Sequence, residues 1–157
     1  MTIPVDIGES GSTDSCVLPE QLVVFYVGDQ RYSLPIEQVA EIQQVVEFSP
    51  APSDARGLLG MLDLRGQVIP AIDGRELLSE KVTPLNIQMP MIVCRTKGGS
   101  IALVVDAVHD VLRVPEGCMQ DAPQLHAHSA SMIGVARFGV ELIYVLDADR
   151  ILAEARR

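Results

Sequence analysis

The feature that most constrains this chain is an internal repeat. Leu22 to Ile42 aligns with Met91 to Val111, and Gly60 to Leu78 aligns with Gly134 to Leu152. The two blocks keep their order, both offsets are about 70 residues, and apolar positions match nearly throughout. This pattern indicates a duplication, and two copies are too few for a solenoid.

The composition favours a mainly β fold. Hydrophobic residues make up 48% of the chain and aromatic residues only 4%, so the core must be aliphatic, and β-branched side chains fit pleated strands. Each copy has about five short strands and little helix, which is typical of a small barrel. A barrel of that size is marginal alone, so we expect the two to share an apolar seam. The halves are expected at about 20–80 and 90–152, after a flexible arm over residues 1–19.

The clearest local signal is a β-hairpin over residues 60–73. Leu64 and Val68-Ile69 are strand formers, and Gly66 can take the positive φ of a tight turn. Arg65 is then predicted at the tip, where its five-donor fork suits binding of a carboxylate on a partner, although a lone hairpin arginine is more often only a solvated turn residue. The second copy has Arg-Phe-Gly-Val at residues 137–140. The tips differ while the scaffold does not, as expected if they meet different partners.

Charge and cysteine content exclude several classes of protein. The formal net charge of -9 argues against nucleic acid or an anionic membrane as a partner. Three cysteines without CxxC spacing fit a reducing compartment rather than a disulfide framework. The N-terminus shows no basic leader, and no run approaches the roughly 18 apolar residues of a membrane span. We therefore expect a cytoplasmic protein without direct membrane insertion.

Few residues offer catalytic or metal chemistry. Cys118, His126 and His128 form the one cluster that resembles metal ligands, and their spacing fits no common zinc site. Asp73 and Asp147 suggest an acid pair, but their equivalence in the repeat predicts that each caps the short helix after its strand. A nucleophile elbow and a phosphate-binding loop are both missing from the sequence. We expect no enzyme activity and no cofactor, with a small metal-dependent enzyme as an alternative.

In order, these motifs resemble those of the CheW family, the small coupling proteins of bacterial chemotaxis-type arrays. They are Val24–Gly28, Tyr32–Ile36, Val39–Ile42, Gly60–Asp73 and Leu103–Val111, followed by Gly134 and Leu146-Asp147. The resemblance covers Gln21 to Leu152 and implies a CheW-like domain over residues 20–154. Its fold would be two intertwined five-stranded, SH3-like barrels, related by pseudo-twofold symmetry around a common aliphatic core, with short helices.

The resemblance also implies a function. Proteins of this family are adaptors that join the cytoplasmic tip of a methyl-accepting chemoreceptor to the regulatory domain of a CheA-type histidine kinase, which has the same fold. A receptor tip is a helical hairpin, so we expect a helix to dock in a groove with an apolar floor and a charged rim. The expected binding residues are Val39, Glu41, Ile42, Asp63, Leu64, Arg65 and Gly66. Recruitment to receptor arrays at the membrane follows from the same resemblance.

Two residues depart from the family pattern. Asp63 stands where the family usually has Asn, and Gly74 stands where it usually has Leu. Asp63 places a carboxylate beside Arg65, where it would orient the guanidinium or partly satisfy it. These departures leave open an accessory adaptor of a type IV pilus, twitching or surface-sensing pathway, with the same fold and different partners.

Overall fold

Eleven strands and two short α-helices make up most of the described chain. A computed structural model describes residues 20–45, 57–78, 85, 88–122 and 129–155. The elements are β1 (Gln21–Val27), β2 (Gln30–Pro35), β3 (Val39–Gln44), β4 (Leu58–Leu64), β5 (Gln67–Asp73), α1 (Gly74–Leu77), β6 (Pro90–Thr96), β7 (Gly99–Val104), β8 (Ala107–Arg113), β9 (Met119–Asp121), β10 (Met132–Phe138), β11 (Glu141–Leu146) and α2 (Ala148–Ala155). Short 3₁₀ turns at Ile36–Gln38 and Ser129–Ser131 complete it. No helix within these ranges is long and apolar enough to cross a membrane.

The strands form two sheets, and each sheet takes strands from both halves of the sequence. The five-stranded sheet, here barrel I, has the order β3-β6-β7-β5-β4, and the six-stranded sheet, here barrel II, has the order β8-β1-β2-β11-β10-β9. Strand β3 leaves its own half to pair with β6, and β8 leaves its half to pair with β1. The predicted intertwined, mainly β fold is therefore confirmed.

The duplication predicted from the sequence relates one sheet to the other. Exchanging β1, β2, β3, β4 and β5 for β6, β7, β8, β10 and β11 converts the order of barrel I into that of barrel II, apart from β9. The β-bulges of the two sheets also lie at corresponding positions. In barrel II a bulge follows the pairing of Phe25 with Val108, and in barrel I one follows the pairing of Cys94 with Val39, at the equivalent positions. The pseudo-twofold relation thus extends to the register of individual residues.

Three apolar clusters explain why β1, β6 and β7 contain continuous runs of buried residues rather than alternating ones. Each sheet has its own core on one face and contributes the other face to a shared cluster, so both faces are buried. The shared cluster includes Phe25, Leu34, Ile72, Ile92 and Leu103; the core of barrel I includes Leu62, Ile69, Ala71, Met91 and Val93; the core of barrel II consists mainly of Leu22, Val24, Ala136, Ile143 and Val145. The predicted aliphatic seam is the shared cluster.

Several local features differ from expectation. Among the described residues, barrel I has the expected five strands, and barrel II has a sixth, β9, which pairs with β10. Between β2 and β3 the chain makes one 3₁₀ turn at Ile36–Gln38, and β3 begins directly after it at Val39. The predicted arm at residues 1–19 lies outside the described residues. Gly74 is required by packing, because a Cβ there would lie 2.8 Å from the carbonyl oxygen of Val104.

Candidate functional site

The predicted hairpin is present, and Arg65 lies at its tip in an unusual conformation. Strands β4 and β5 are joined by the two residues Arg65 and Gly66, with φ of 54° and 84°. Positive φ at both positions defines the type I′ turn, whose twist matches that of the paired strands. Arg65 is the one non-glycine residue with positive φ in the described part of the chain. That conformation costs an L-residue about 1–2 kcal/mol, and such strain is concentrated at functional sites.

The Asp63 side chain binds the backbone of the turn rather than the side chain of Arg65. Its Oδ1 accepts a hydrogen bond from the backbone N–H of Gly66 at 2.9 Å. The aspartate thereby stabilises the turn by the local side-chain bonding typical of Asx motifs. The expected pairing of Asp63 with Arg65 is replaced by a pairing of Arg65 with Glu41, which the sequence did not predict.

The ion pair of Arg65 with Glu41 joins the two edges of barrel I. Strands β3 and β4 are the edge strands of this sheet, and in a flat sheet four interstrand spacings would separate them by roughly 19 Å. Nevertheless Nη2 of Arg65 donates to Oε1 of Glu41 at 2.8 Å, and Nη1 donates to Oε2. The sheet therefore curls until its edges meet, and this bidentate pair bridges them.

Both partners of this ion pair keep their charge over a wide range of pH. The hydrogen bonds from Arg65, and then the one from Nε2 of Gln43 at 2.8 Å, lower the pKa of the Glu41 carboxyl to about 2. The bonded carboxylate in turn raises the pKa of Arg65. The Arg65 side chain is 71% exposed and that of Glu41 25%. Since solvent screens such a pair, its main effect is to orient the guanidinium while most of the Arg65 side chain stays exposed.

The structure divides the predicted binding residues between two faces of β3. Glu41 lies opposite Val93, a residue of the barrel I core, and Leu64 packs against that same core. Val39 packs against the shared cluster, and Ile42 also lies opposite a residue of that cluster, with its own side chain 45% exposed. Glu41, Leu64 and Arg65 therefore meet at the rim of barrel I, while Val39 and Ile42 lie on the other face of the strand.

The equivalent rim of barrel II lacks this ion pair. The repeat places Asp110 where barrel I has Glu41, and Gly139 where it has Arg65. The turn between β10 and β11 is Gly139-Val140, with positive φ at Gly139. Oδ1 of Asp110 accepts the backbone N–H of Val111 at 2.7 Å. None of the ion pairs found among the described residues involves Asp110.

The two equivalent aspartates act as helix caps, as predicted. Asp73 accepts the backbone N–H of Arg75 at 2.9 Å, and Asp147 accepts that of Arg150 at 3.1 Å. Sequence reasoning missed that Asp73 also binds the Arg75 side chain, at 3.1 Å from both Nε and Nη2, with both side chains almost completely buried. This pair serves the fold, because it has no access to a ligand.

The described residues contain no group of three or more His, Cys, Asp or Glu side chains that could hold a metal ion. Of the predicted cluster, Cys118 is half-buried on the approach to β9. His126 and His128 lie outside the described residues. The Cys94 thiol is buried against the shared cluster, and burial raises its pKa to about 12, which makes it a poor nucleophile.

Comparison with known proteins agrees with the fold. A family model described as the CheW-like domain matches residues 21–156. The chain is 29% identical to the chemotaxis protein CheW of Rhizobium meliloti, over 87% of this chain and 90% of that protein. It is 28% identical to protein FrzA of Myxococcus xanthus, over 88% and 89%. The fold is similar to that of the scaffolding protein TtCheW from Thermoanaerobacter tengcongensis, with a TM-score of 0.78, 25% identity and coverage of 85% and 92%.

Proposed function

The chain belongs to the CheW-like domain family, and we propose that it is a non-enzymatic adaptor that couples the cytoplasmic tip of a chemoreceptor to the regulatory domain of a CheA-type histidine kinase. Similar proteins bear the names chemotaxis protein and scaffolding protein. Such an adaptor would work in the cytoplasm at receptor arrays. It needs no cofactor, because its task is to hold two proteins at once.

The observation that carries this proposal is the geometry of Arg65. Its backbone is held in the strained turn, and its guanidinium is fixed by Glu41 while 71% of the side chain stays exposed. Donors that are ordered before binding lose less entropy when a partner arrives. Arginine is also among the residue types that most often dominate binding energy. A carboxylate on the receptor tip can therefore bind the outward edge of Arg65, with Leu64 and Glu41 at its side.

Two partners require two surfaces, and the two barrels offer unlike ones. The barrel I turn presents Arg65, whereas the barrel II turn presents Val140, which is fully exposed. We assign the receptor to the rim of barrel I and the kinase regulatory domain to barrel II. Exposed Ile42 adds an aliphatic contact on the neighbouring strand face.

Binding of purified receptor hairpin and of purified kinase regulatory domain, measured separately by calorimetry, tests this assignment. Arg65→Glu is expected to weaken receptor binding at least about tenfold, because it replaces an attraction by a like-charge contact. Arg137→Glu makes the same charge change at an exposed arginine of the other hairpin and should leave receptor binding unchanged. A folded Arg65→Glu protein with the receptor affinity of the wild type would contradict the proposal.

A charge exchange separates direct contact from mere closure of barrel I. The double variant Glu41→Arg with Arg65→Glu keeps an ion pair between the edge strands but places the cation on β3. If Arg65 contacts the receptor itself, the exchange should restore thermal stability and not receptor binding. Recovery of both thermal stability and receptor binding would mean that Arg65 only closes barrel I and does not contact the receptor.

An accessory adaptor of a type IV pilus, twitching or surface-sensing pathway is the second candidate. It is supported by the likeness to FrzA, whose identity of 28% is nearly that of the Rhizobium meliloti CheW. The same binding assay distinguishes the two, with receptors and kinases from flagellar and from pilus-type gene clusters as probes. Preferential binding of the pilus-type pair would favour the accessory role.

A further inference from the structure

We infer that Asp110, on the rim of barrel II, accepts an arginine from the kinase regulatory domain and so completes from outside the ion pair that Arg65 and Glu41 make within barrel I. This inference rests on the proposed adaptor function and specifies one residue of its kinase surface. It follows from comparing equivalent positions of the two barrels.

Asp110 and Glu41 occupy equivalent positions in the two sheets. Each lies on an edge strand, one pairing beyond the equivalent bulge. Asp110 lies opposite Val24 of the barrel II core, as Glu41 lies opposite Val93 of the barrel I core. The two residues therefore occupy corresponding register positions on the edge strands of the two barrels.

Their partners differ. The residue that corresponds to Arg65 is Gly139, and a Cβ built there would meet nothing within 4 Å. Asp110 is exposed, and among the described residues it accepts a single hydrogen bond, from the backbone N–H of Val111 to its Oδ1, with none found to its Oδ2. Barrel II thus presents the carboxylate of the pair without the arginine.

Barrel I shows what fits this carboxylate. There a turn-borne arginine binds it through both terminal nitrogens, and this planar, two-point geometry is one that a lysine cannot reproduce. In barrel II the turn residue Val140 is fully exposed and Leu142 is 45% exposed, and the repeat places this turn where barrel I has the turn of Arg65, so an apolar contact can accompany the ion pair. The chain's net charge of -9 also favours a partner that presents a cation. With the receptor assigned to Arg65, the kinase regulatory domain is the partner that remains for this surface.

Asp110→Asn tests the inference without disturbing the strand, since the amide oxygen can still accept the Val111 N–H. Calorimetric titration with the kinase regulatory domain should show binding weakened about 2- to 5-fold, the scale of one exposed ion pair, while receptor binding is unchanged. If the wild type binds the kinase domain and Asp110→Asn binds it equally well, this inference is overturned and the proposed function is not. Absence of kinase binding by the wild type would overturn the proposed function as well.

Gly139→Arg provides an independent test, because it supplies the missing arginine from within. The backbone there already has a φ of 66°, close to the 54° of Arg65. The new guanidinium should occupy Asp110 and weaken kinase binding by a similar factor. Gly139→Gln, with equal backbone strain and no charge, is the matched control and should weaken it less. Equal effects of the two substitutions, or no effect of Gly139→Arg, would overturn the inference.

Discussion

Replacement of Asp73 by alanine should cost much more stability than the same change at its repeat equivalent, Asp147. Both carboxylates cap a helix, and loss of a cap costs about 1 kcal/mol. Asp73 in addition holds the buried guanidinium of Arg75, whose side chain is only 1% exposed. Removal of one partner from a buried ion pair costs about 3–5 kcal/mol, because the other charge stays buried. We therefore expect a loss of about 4–6 kcal/mol for Asp73→Ala.

The equivalent site lacks the buried charge. Asp147 caps α2 and also accepts a hydrogen bond from Nε2 of Gln38 at 2.7 Å, and the position equivalent to Arg75 holds Asp149. Loss of one cap and one hydrogen bond sums to about 1–3 kcal/mol for Asp147→Ala. The two substitutions are chemically identical and each removes one cap, so the larger loss at Asp73 reports the buried pair, less the one hydrogen bond that Asp147 makes with Gln38.

Thermal and urea unfolding, followed by circular dichroism, measure this difference. For a chain of this size each kcal/mol lowers Tm by about 2–4 °C, so Asp73→Ala should lower it by about 10–20 °C and Asp147→Ala by about 5 °C. Arg75→Met in the Asp73→Ala background should recover part of the loss, since an apolar side chain fits the buried site. Equal losses at Asp73 and Asp147, or no recovery with methionine, would refute the reasoning.

Two further outcomes follow from the geometry. The folded-state pKa of Glu41 lies at about 2, below its ordinary value of 4.5. The ion pair with Arg65 should therefore stabilise the fold above about pH 4.5, and this stabilisation should be lost as pH falls toward 2. NMR titration of the Glu41 carboxyl should show the low pKa, and Arg65→Gln should return it toward its ordinary value. Gly74→Ala should lower stability by about 1–3 kcal/mol, because its Cβ would lie 2.8 Å from the Val104 oxygen; an unchanged Tm would contradict that close contact.

The repeat allowed much of the fold to be predicted from the sequence. Matching apolar positions located equivalent strands. The equivalence of Asp73 and Asp147 in the repeat predicted that both are helix caps. Gly66 identified the hairpin turn, because few residues tolerate the positive φ that a two-residue loop requires. These signals are local or repeated, so they can be read without knowledge of the tertiary structure.

The ion pair at the rim could not be predicted in the same way. Glu41 and Arg65 are 24 residues apart and lie on opposite edges of one sheet, so their contact depends on how far that sheet curls. Asp63 was the nearer carboxylate in sequence, but the turn directs it to the N–H of Gly66. The burial of Arg75 was hidden for a similar reason, since an arginine in a short helix after a strand gives no sign of being enclosed.

Duplication explains why the two barrels can differ at their rims at little cost to the fold. Pairs of equivalent residues such as Leu34 and Leu103 remain in the shared cluster, whereas Arg65 and Gly139 occupy turns that are open to solvent. Surface substitutions change stability far less than core substitutions, so the turns can diverge while the barrels stay locked together. Under the proposed assignment each partner contacts a different turn, so an adaptor built in this way can change one partner without weakening its binding to the other.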